Sequence, residues 1–289
     1  MTFAPLDAQL AAALFSPPVL AVLGLCIGSF LNVVIHRLPL MMERDWRIDS
    51  AELLGVEVAL PAPITLSSPR SRCPHCAHPI GWRENIPLFS YLALRGRCAV
   101  CKTPISPRYP AIELLTALLF AACGWRFGAT PAVLLWCGLA ATLVALACID
   151  LDTQLLPDDL TLPLLWAGIV ASALGWTPVP LAASVAGAVA GYLSLWLVHH
   201  AYRLIRGKEG MGAGDFKLLA ALGAWLGWAL IPSIILLSSA VGATVGIGLI
   251  VLRRHDKDVP IPFGPYLAGG GIAALFFGEQ LTRLWLVPA

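Results

Sequence analysis

The sequence predicts an all-α polytopic membrane protein with about eight transmembrane helices and a cytoplasmic zinc-binding loop domain after the first of them. The 289 residues are 58% hydrophobic and only 12% charged, and the mean hydropathy of +0.79 lies well outside the range of soluble globular domains. Apolar runs of the length that crosses a bilayer as a helix recur along the whole chain. A net charge of +2 gives no reason to expect a nucleic-acid partner.

Eight apolar spans are expected. They cover residues 17–36, 111–128, 131–149, 160–176, 179–201, 216–231, 233–252 and 264–287. This pattern divides the chain into an N-terminal segment with the first helix (1–36), a soluble domain (37–110) and a seven-helix membrane domain (111–289). The N-terminus carries no Lys or Arg before the first span, so this span is interpreted as a retained anchor and not as a cleaved secretory signal.

Basic residues are concentrated in the loops that eight spans would place on one side of the membrane. These residues are Arg37, Arg44, Arg47, Arg70, Arg72, Arg83, Arg95, Arg97, Lys102, Arg108, Arg203, Arg206, Lys208, Arg253, Arg254 and Lys257. Only Arg126 and Arg283 fall on the other side. Because Lys and Arg collect in cytoplasmic loops, the basic side is expected to be cytoplasmic and both termini periplasmic.

Two CxxC pairs occur in the soluble domain, Cys73 with Cys76 and Cys98 with Cys101, and 21 residues separate the pairs. This spacing is typical of a four-cysteine zinc site, in which each pair supplies two thiolates to one tetrahedral Zn²⁺. Disulfides are disfavoured in the reducing cytoplasm, and a redox motif is disfavoured because there are two copies and no βαβ pattern. Four cysteine ligands leave no open coordination position, so the metal is expected to be structural.

No metal-binding role is expected for the other cysteines or for the two histidines near the pairs. His75 and His78 are expected on the surface of the metal site and not among its ligands. The remaining cysteines fall within spans and are expected to act as small packing residues. They are Cys26, Cys123, Cys137 and Cys148.

The most informative acidic residues border apolar runs. Asp215 closes the glycine-rich turn GMGAGD at 210–215, and Asp150 continues directly from another apolar run. A carboxylate at the edge of a bilayer is costly, which favours a function in which it has a second ionisable group as partner. Asp150 and Asp215 are therefore the candidate pair, whereas Asp158 or Asp159 is expected to cap the helix that follows.

Two carboxylates in one low-dielectric site do not both ionise readily, so one can activate water as a general base while the other protonates a departing amine. This is the chemistry of an aspartic protease. From the residues alone, a proton- or cation-coupled transporter that uses the pair as a relay is equally open. A third interpretation makes the cysteine loop a docking module on a membrane anchor. Transporters often carry internal repeats, and the sequence shows none.

Polar groups also occur in the first two spans. Gly28 and Ser29 are expected to serve helix packing through close approach, with a side-chain hydrogen bond from Asn32, and this interpretation is preferred to direct catalysis. Glu113 lies near the start of the second span, where the helix macrodipole favours a carboxylate, and this interpretation is preferred to a substrate contact.

Four segments of the chain carry a resemblance to a known family. They are GSFLNVVIHRLP at 28–39, the cysteine region from Ser71 to Glu113, IDLDTQLLPDDLTLPLLW at 149–166 and GMGAGDFKLLAALGAWLG at 210–227. In order and spacing they resemble the type IV prepilin peptidase family, GxGD-type membrane aspartic proteases, over most of the chain from about Gly24. The resemblance implies catalytic residues at Asp150 and Asp215, in a peptidase domain at 111–289, and zinc ligands at the four paired cysteines.

The resemblance also implies an enzyme of the bacterial inner membrane with its active site facing the cytoplasm. It would cleave the leader of type IV prepilins and type II secretion pseudopilins, and then N-methylate the new N-terminal residue with S-adenosylmethionine. Partners would be these substrates, the lipid bilayer and the pilus or secretion machinery. No residues are assigned to the methyl donor, because GMGAGD lacks a preceding strand pattern; the domain at 37–110, with Arg95, Gly96 and Arg97, is the sizeable soluble part able to host it.

Overall fold

The computed structural model describes residues 8–57, 62–208, 210–252 and 261–283, and within these ranges the secondary structure is helical apart from two isolated β-bridges. The helices are α1 (Ala8–Leu14), α2 (Pro17–Leu54), α3 (Phe89–Ala93), α4 (Arg108–Phe127), α5 (Val133–Thr153), α6 (Asp158–Ala173), α7 (Leu181–Arg206), α8 (Ala213–Leu226), α9 (Ile231–Val251) and α10 (Gly264–Arg283). Short 3₁₀ turns lie at Trp82–Asn85 and Trp228–Leu230. The chain forms two compact units, residues 1–141 and 142–289.

Each of the eight expected spans falls on a helix, which confirms the all-α membrane fold. Five described helical segments are long and apolar enough to cross a membrane. They are Pro17–Leu54, Arg108–Phe127, Val133–Thr153, Leu181–Arg206 and Trp228–Val251. Because α6 and α8 have only 16 and 14 residues, the number eight stays a prediction. The orientation also stays a prediction, and Arg253, Arg254 and Lys257, on which it partly depends, lie outside the described residues.

The first spanning helix is much longer than expected. The sequence suggested that it ends near residue 36, but α2 continues to Leu54, where Gly55 adopts a left-handed conformation (φ 63°) and ends it. An ion pair one helical turn apart, Arg47 Nη2 to Glu43 Oε1 at 2.5 Å, lies on the extension. At 1.5 Å per residue the helix is about 57 Å long, well beyond the ~30 Å of a hydrocarbon core. The first part of the expected soluble domain is therefore a helical continuation of the span.

In the first unit, α2 and α4 pack side by side and antiparallel. A Cβ added at Gly28 would lie 2.7 Å from the Glu113 Cα atom, so only glycine permits this approach. One turn along, the Asn32 Nδ2 group donates hydrogen bonds to Gly28 O and to Tyr109 O, both at 3.2 Å. The packing roles expected for Gly28 and Asn32 are thus confirmed.

In the second unit, α8 is the central helix, and its residues 215–225 are buried almost without interruption. A Cβ added at Gly187 on α7 would collide with the backbone of Gly223 on α8, so these two helices touch backbone to backbone. On another side, the Trp225 Nε1 group donates to Leu164 O of α6 at 2.8 Å. Close packing on several sides fixes the position at which α8 begins, and Asp215 lies in its first turn.

The cysteines outside the paired motifs divide into two groups. Cys123 and Cys137 are fully buried and Cys148 is half-buried, as expected for packing residues. Cys26 is exposed on the surface of α2, so the packing role expected for it is wrong. A small apolar side chain on a spanning helix can face lipid as well as protein, and the sequence pattern does not separate the two environments.

Candidate active site and metal centre

The four paired cysteines come together in one cluster. Their Sγ atoms all lie within 4.8 Å of one another, with Cys73 Sγ 3.7 Å from Cys101 Sγ and Cys76 Sγ 3.9 Å from Cys98 Sγ. Zinc–thiolate bonds of about 2.3 Å in a tetrahedron put the sulfur atoms about 3.8 Å apart. The cluster therefore fits a tetrahedral metal ion, with one sulfur at each corner.

The two cysteine pairs are built in the same way. The Cys73 N–H donates to His78 O and the Cys98 N–H donates to Thr103 O, each at 2.9 Å. The residue after the second cysteine of each pair has a positive φ, 56° at Ala77 and 60° at Lys102. This repeated turn directs both thiols of a pair to the same point, so each half of the cluster is fixed by local backbone bonds.

Hydrogen bonds adjust the cluster thiols before any metal binds. The side chain and backbone of Thr103 lower the pKa of Cys101 to about 6, and backbone bonds from Cys76 and His75 lower the pKa of Cys73. Although a backbone bond from His78 opposes the change, burial and the neighbouring thiols raise the pKa of Cys76 to about 11. The Cys101 thiol is thus readily deprotonated at neutral pH, and thiolate is the form that binds metal.

His78 lies outside the metal cluster, as the sequence suggested. Its Nε2 atom is 3.1 Å from Glu84 Oε2, and the same carboxylate accepts the Gly81 N–H at 2.8 Å. The Gly81 N–H first, and then His78, lower the pKa of Glu84. This set of contacts ties the turn at Trp82–Asn85 to the first cysteine pair.

Asp150 and Asp215 are brought together within the second unit. Asp150 lies one turn before the C-terminal end of α5, Asp215 lies in the first turn of α8, and only 5% and 7% of their surfaces are exposed. The charge of Asp150 acts directly on the Asp215 carboxylate, which also accepts the Gly212 N–H. Two buried carboxylates that interact in this way are the arrangement expected from the sequence.

A third segment completes the site at the start of α10. The Gly264 N–H donates to Asp150 Oδ2 at 2.9 Å. A Cβ at position 264 would lie only 2.6 Å from that oxygen and 3.1 Å from Leu156 Cδ2, while one at Gly214 would lie 2.7 Å from Leu156 Cβ. Leu156 therefore packs against both glycines, and the end of α5 meets the beginnings of α8 and α10.

The helix ends also suit the charge of the pair. Asp215 belongs to the first turn of α8, and Asp150 is bonded to the first residue of α10. The amino end of a helix carries a partial positive charge that stabilises a nearby carboxylate. Two such ends help to offset the cost of burying acidic groups here.

The expected N-cap at Asp158 or Asp159 is wrong. Pro157 holds that position, with φ −59° and ψ 132°, so both aspartates already belong to the first turn of α6. Asp158 instead pairs with Lys217 of α8, whose Nζ lies 2.7 Å from both carboxylate oxygens. The pair joins the beginning of α6, which follows Asp150 in the chain, to the beginning of α8, which contains Asp215.

Glu113 makes a specific hydrogen bond in addition to the interaction with the helix macrodipole that was expected from the sequence. Its side chain is buried in the second turn of α4, and its Oε2 atom accepts the Leu88 N–H at 2.7 Å. The carboxylate therefore attaches the segment before α3 to the spanning helix α4.

Sequence reasoning missed Gly264, Leu156 and the partner of Asp158. A glycine followed by a proline at the start of an apolar run signals a helix start, which marks Gly264–Pro265 as a helix beginning. Nothing in the sequence shows that this beginning meets Asp150, 114 positions earlier in the chain.

The site and fold define a helical membrane protein with a buried pair of aspartates, whose chain also carries a four-cysteine cluster of a geometry that fits a metal ion. Comparison with known proteins agrees. Residues 22–127 match the bacterial peptidase A24 N-terminal domain, and residues 137–247 match the type IV leader peptidase family. The chain belongs to the type IV leader peptidase family.

Individual relatives are similar over nearly the full length. A protein of Aeromonas hydrophila named prepilin leader peptidase/N-methyltransferase is 56% identical over 272 residues, covering 91% of each chain. Proteins with the same name from Pseudomonas aeruginosa and Burkholderia pseudomallei are 53% and 52% identical, covering 91% of this chain and 91% and 86% of their own. No solved structure is significantly similar to the chain.

Proposed function

We propose that this chain is a membrane aspartic endopeptidase that removes the leader of type IV prepilins and type II secretion pseudopilins. It then N-methylates the new N-terminal residue with S-adenosylmethionine. The observation that best supports this proposal is the buried, interacting pair Asp150 and Asp215. The chain also shares more than half of its aligned residues with proteins named for both activities. The proposed location is the bacterial inner membrane, with the site at the cytoplasmic face and both termini periplasmic.

Hydrolysis follows from one proton shared by the pair. The ionised carboxylate removes a proton from water as the water oxygen bonds to the scissile carbonyl carbon, and the protonated carboxyl donates to the carbonyl oxygen. Collapse of this intermediate breaks the C–N bond, and a carboxyl group gives its proton to the departing amine nitrogen. The products are a leader with a new carboxylate and a mature chain with a free α-amine.

The structure supports this chemistry through positioning. The Gly264 N–H fixes Asp150 Oδ2, and the Gly212 N–H bonds the Asp215 carboxylate. Each aspartate side chain is thus held in a set orientation toward the other, which lowers the activation free energy of hydrolysis.

The proposed substrate also suits the edge of the membrane. A prepilin presents an apolar helix to the bilayer and a basic leader to the cytoplasm, so its scissile bond lies where a spanning helix ends. Asp152 and Asp159, both exposed beside the pair in sequence, would attract the basic leader.

The four-cysteine cluster is proposed to bind structural Zn²⁺ through Cys73, Cys76, Cys98 and Cys101. When bound, the ion supplies a rigid four-way crosslink and has no open position for a catalytic water. The four thiolates of the two CxxC pairs would bind the same ion. The metal would thus fix the shape of the loop and take no part in hydrolysis.

No residues are assigned to S-adenosylmethionine. The described part of the chain contains no glycine-rich strand–turn–helix of the kind that binds a nucleoside, because the glycine-rich segment at 210–215 continues into α8 and the element before it is the helix α7. The soluble segment after α2 remains the proposed host for the donor.

The test is to incubate the purified chain, in lipid vesicles, with a full-length prepilin and to weigh the products. Without the methyl donor we expect the mature chain and the free leader. With the donor we expect the mature chain to be heavier by one methyl group. An intact prepilin after incubation with folded, metal-loaded protein would overturn the proposal, and cleavage without methylation would overturn its second half.

A further inference from the structure

An apolar surface is exposed in the segment between the two cysteine pairs. Trp82, Phe89 and Leu92 are 71%, 65% and 62% exposed, and Ile86 lies between them in sequence with its side chain also exposed. Phe89 and Leu92 are three residues apart on α3 and share a helix face. We call these four residues the aromatic surface. Four large apolar side chains within eleven residues outside a span mark an interaction site.

The backbone beside this surface is fixed to a membrane-spanning helix. The Leu88 N–H, next to Phe89, bonds to the buried carboxylate of Glu113 at 2.7 Å. Glu113 lies five residues into α4, about 7 Å along its axis at the normal helical rise. Leu88 is thus held beside the second turn of a helix that is long and apolar enough to cross a membrane.

A tyrosine also lies at the start of α4. Tyr109, the second residue of α4, is half exposed. Tyrosine and tryptophan are enriched at the level of the lipid headgroups, where an apolar ring and a polar atom are both accommodated. Tyr109, Trp82 and Phe89 are therefore suited to one interfacial layer.

The charges around the aromatic surface are positive. The Arg83 guanidinium lies 5.1 Å from the centre of the Trp82 ring. Arg95 and Arg97 follow α3 and are exposed, whereas the nearby carboxylate of Glu84 is engaged by Gly81 and His78. Exposed cations beside apolar side chains are the pattern that binds an anionic membrane surface.

We propose that the aromatic surface is a membrane-docking element that inserts into the headgroup region of an anionic bilayer. The bilayer is the occupant because a bond to α4 holds the surface at the start of a span and because its flanking charges are cationic. Docking would hold the loop between the cysteine pairs at the membrane surface. This inference does not depend on the proposed enzymatic function.

The chain supplies a matched control at Leu53. This residue is 87% exposed, more than any member of the aromatic surface, and it lies at the far end of α2. Asn32 is bonded to Tyr109 and so marks the same membrane level on α2. Leu53 is 21 residues further along, roughly 30 Å at the normal rise of a helix. It is apolar and exposed, but the bilayer should lie out of its reach.

The experiment uses the full chain in vesicles of mixed anionic and zwitterionic phospholipid. The photoreactive residue p-benzoylphenylalanine replaces Trp82, Phe89 or Leu53, one at a time, and mass spectrometry measures phospholipid adducts after illumination. We expect several-fold more lipid adduct at positions 82 and 89 than at 53. We also expect the adduct at position 82 to fall when the vesicles contain no anionic lipid.

Three outcomes would overturn the proposal. These are equal lipid adducts at positions 53 and 89, no lipid adducts at 82 and 89, or predominant adducts to a second copy of the chain at those positions. The replaced side chains are exposed, so folding should be kept, and metal content of each variant verifies it. If one variant fails this check, Leu92 offers another position on the same face, with the same expected result.

Discussion

The cysteine cluster and the aspartate pair are assembled in different ways, the first from local turns and the second from separate helices. In the cluster, four like ligands close around one point, and each half is made by a turn of six residues from Cys73 to His78 or from Cys98 to Thr103. In the pair, two groups that repel when both are ionised are brought together from separate helices, and Gly264 of a third helix orients one of them. The first region gathers four thiols that fit one ion; the second gathers two carboxylates from different helices.

The two regions therefore differ in where their structure is encoded in the sequence. A metal site built from local turns needs only the correct short spacings, and it can fold around its ion. The aspartate pair depends on the packing of α8 among its neighbours, so residues far from the chemistry determine its geometry. A substitution in one region should therefore leave the other region unchanged.

The largest effect is expected from Asp150→Asn or Asp215→Asn. Either change should reduce leader cleavage by roughly 10⁴-fold, the upper range for lost acid–base catalysis. The asparagine side-chain oxygen at position 150 can still accept the Gly264 N–H, so folding and metal content should be unchanged. Cleavage is followed by product mass. Near-normal cleavage by either variant would remove that aspartate from the pair.

A smaller loss is expected from Gly264→Ala. The new Cβ would meet Asp150 Oδ2 at 2.6 Å, and a displacement approaching 1 Å costs about 10²-fold in rate. Gly269→Ala is the control, because it lies on the same helix with no atom within 4 Å of the added Cβ. The two variants are compared by cleavage rate in one preparation of vesicles. Equal rates would mean that Gly264 does not position Asp150.

The next effect concerns the cluster. Combined Cys73→Ser and Cys98→Ser, or treatment with a chelator, should release one zinc ion per chain. It should make the segment between the pairs sensitive to protease, because structural zinc contributes on the order of 10 kcal/mol to folding of such sites. Leader cleavage should weaken less than in Gly264→Ala, since the aspartates belong to the other unit. Metal analysis that finds no zinc in protein purified without chelators would contradict the assignment.

The smallest effect is expected at the Asp158–Lys217 ion pair. Both side chains are partly exposed, and such pairs contribute about 0.2–1 kcal/mol. Asp158→Asn and Lys217→Met should each change the cleavage rate by a few-fold at most, and the double variant should be little worse than either single one. A double-mutant cycle on the cleavage rate measures the coupling. A loss as large as that of Asp150→Asn would give the pair a direct part in the reaction.

The sequence predicted the features that short patterns determine. Apolar length located the helices, and the CxxC spacing identified four cysteines that the fold does bring together. Asp150 and Asp215 stood out because carboxylates at the ends of apolar runs are costly.

Features that depend on long-range packing were not predictable. The extension of α2 past residue 36 was not predicted because Pro39 lies inside it, and a proline usually ends or kinks a helix. The residues after Pro39 mix charged and apolar side chains, so no continuous apolar run marks them as part of the span. Asp158 was expected to cap a helix because it directly precedes an apolar run. Its ion-pair partner Lys217 is 59 positions away in sequence, and no short pattern connects the two. The contact of Gly264 with Asp150 likewise appears only when α5 and α10 are packed.

In the proposed mechanism the aspartate pair performs hydrolysis and takes no part in methyl transfer. The most direct measurement supplies the Asp150→Asn variant with a synthetic peptide that already has the mature N-terminus, together with labelled S-adenosylmethionine. We expect label transfer at a rate close to that of the unmodified chain, although the same variant leaves full-length prepilin uncleaved. Absence of label transfer by folded, zinc-containing variant would mean that the two activities share Asp150, and would contradict the account.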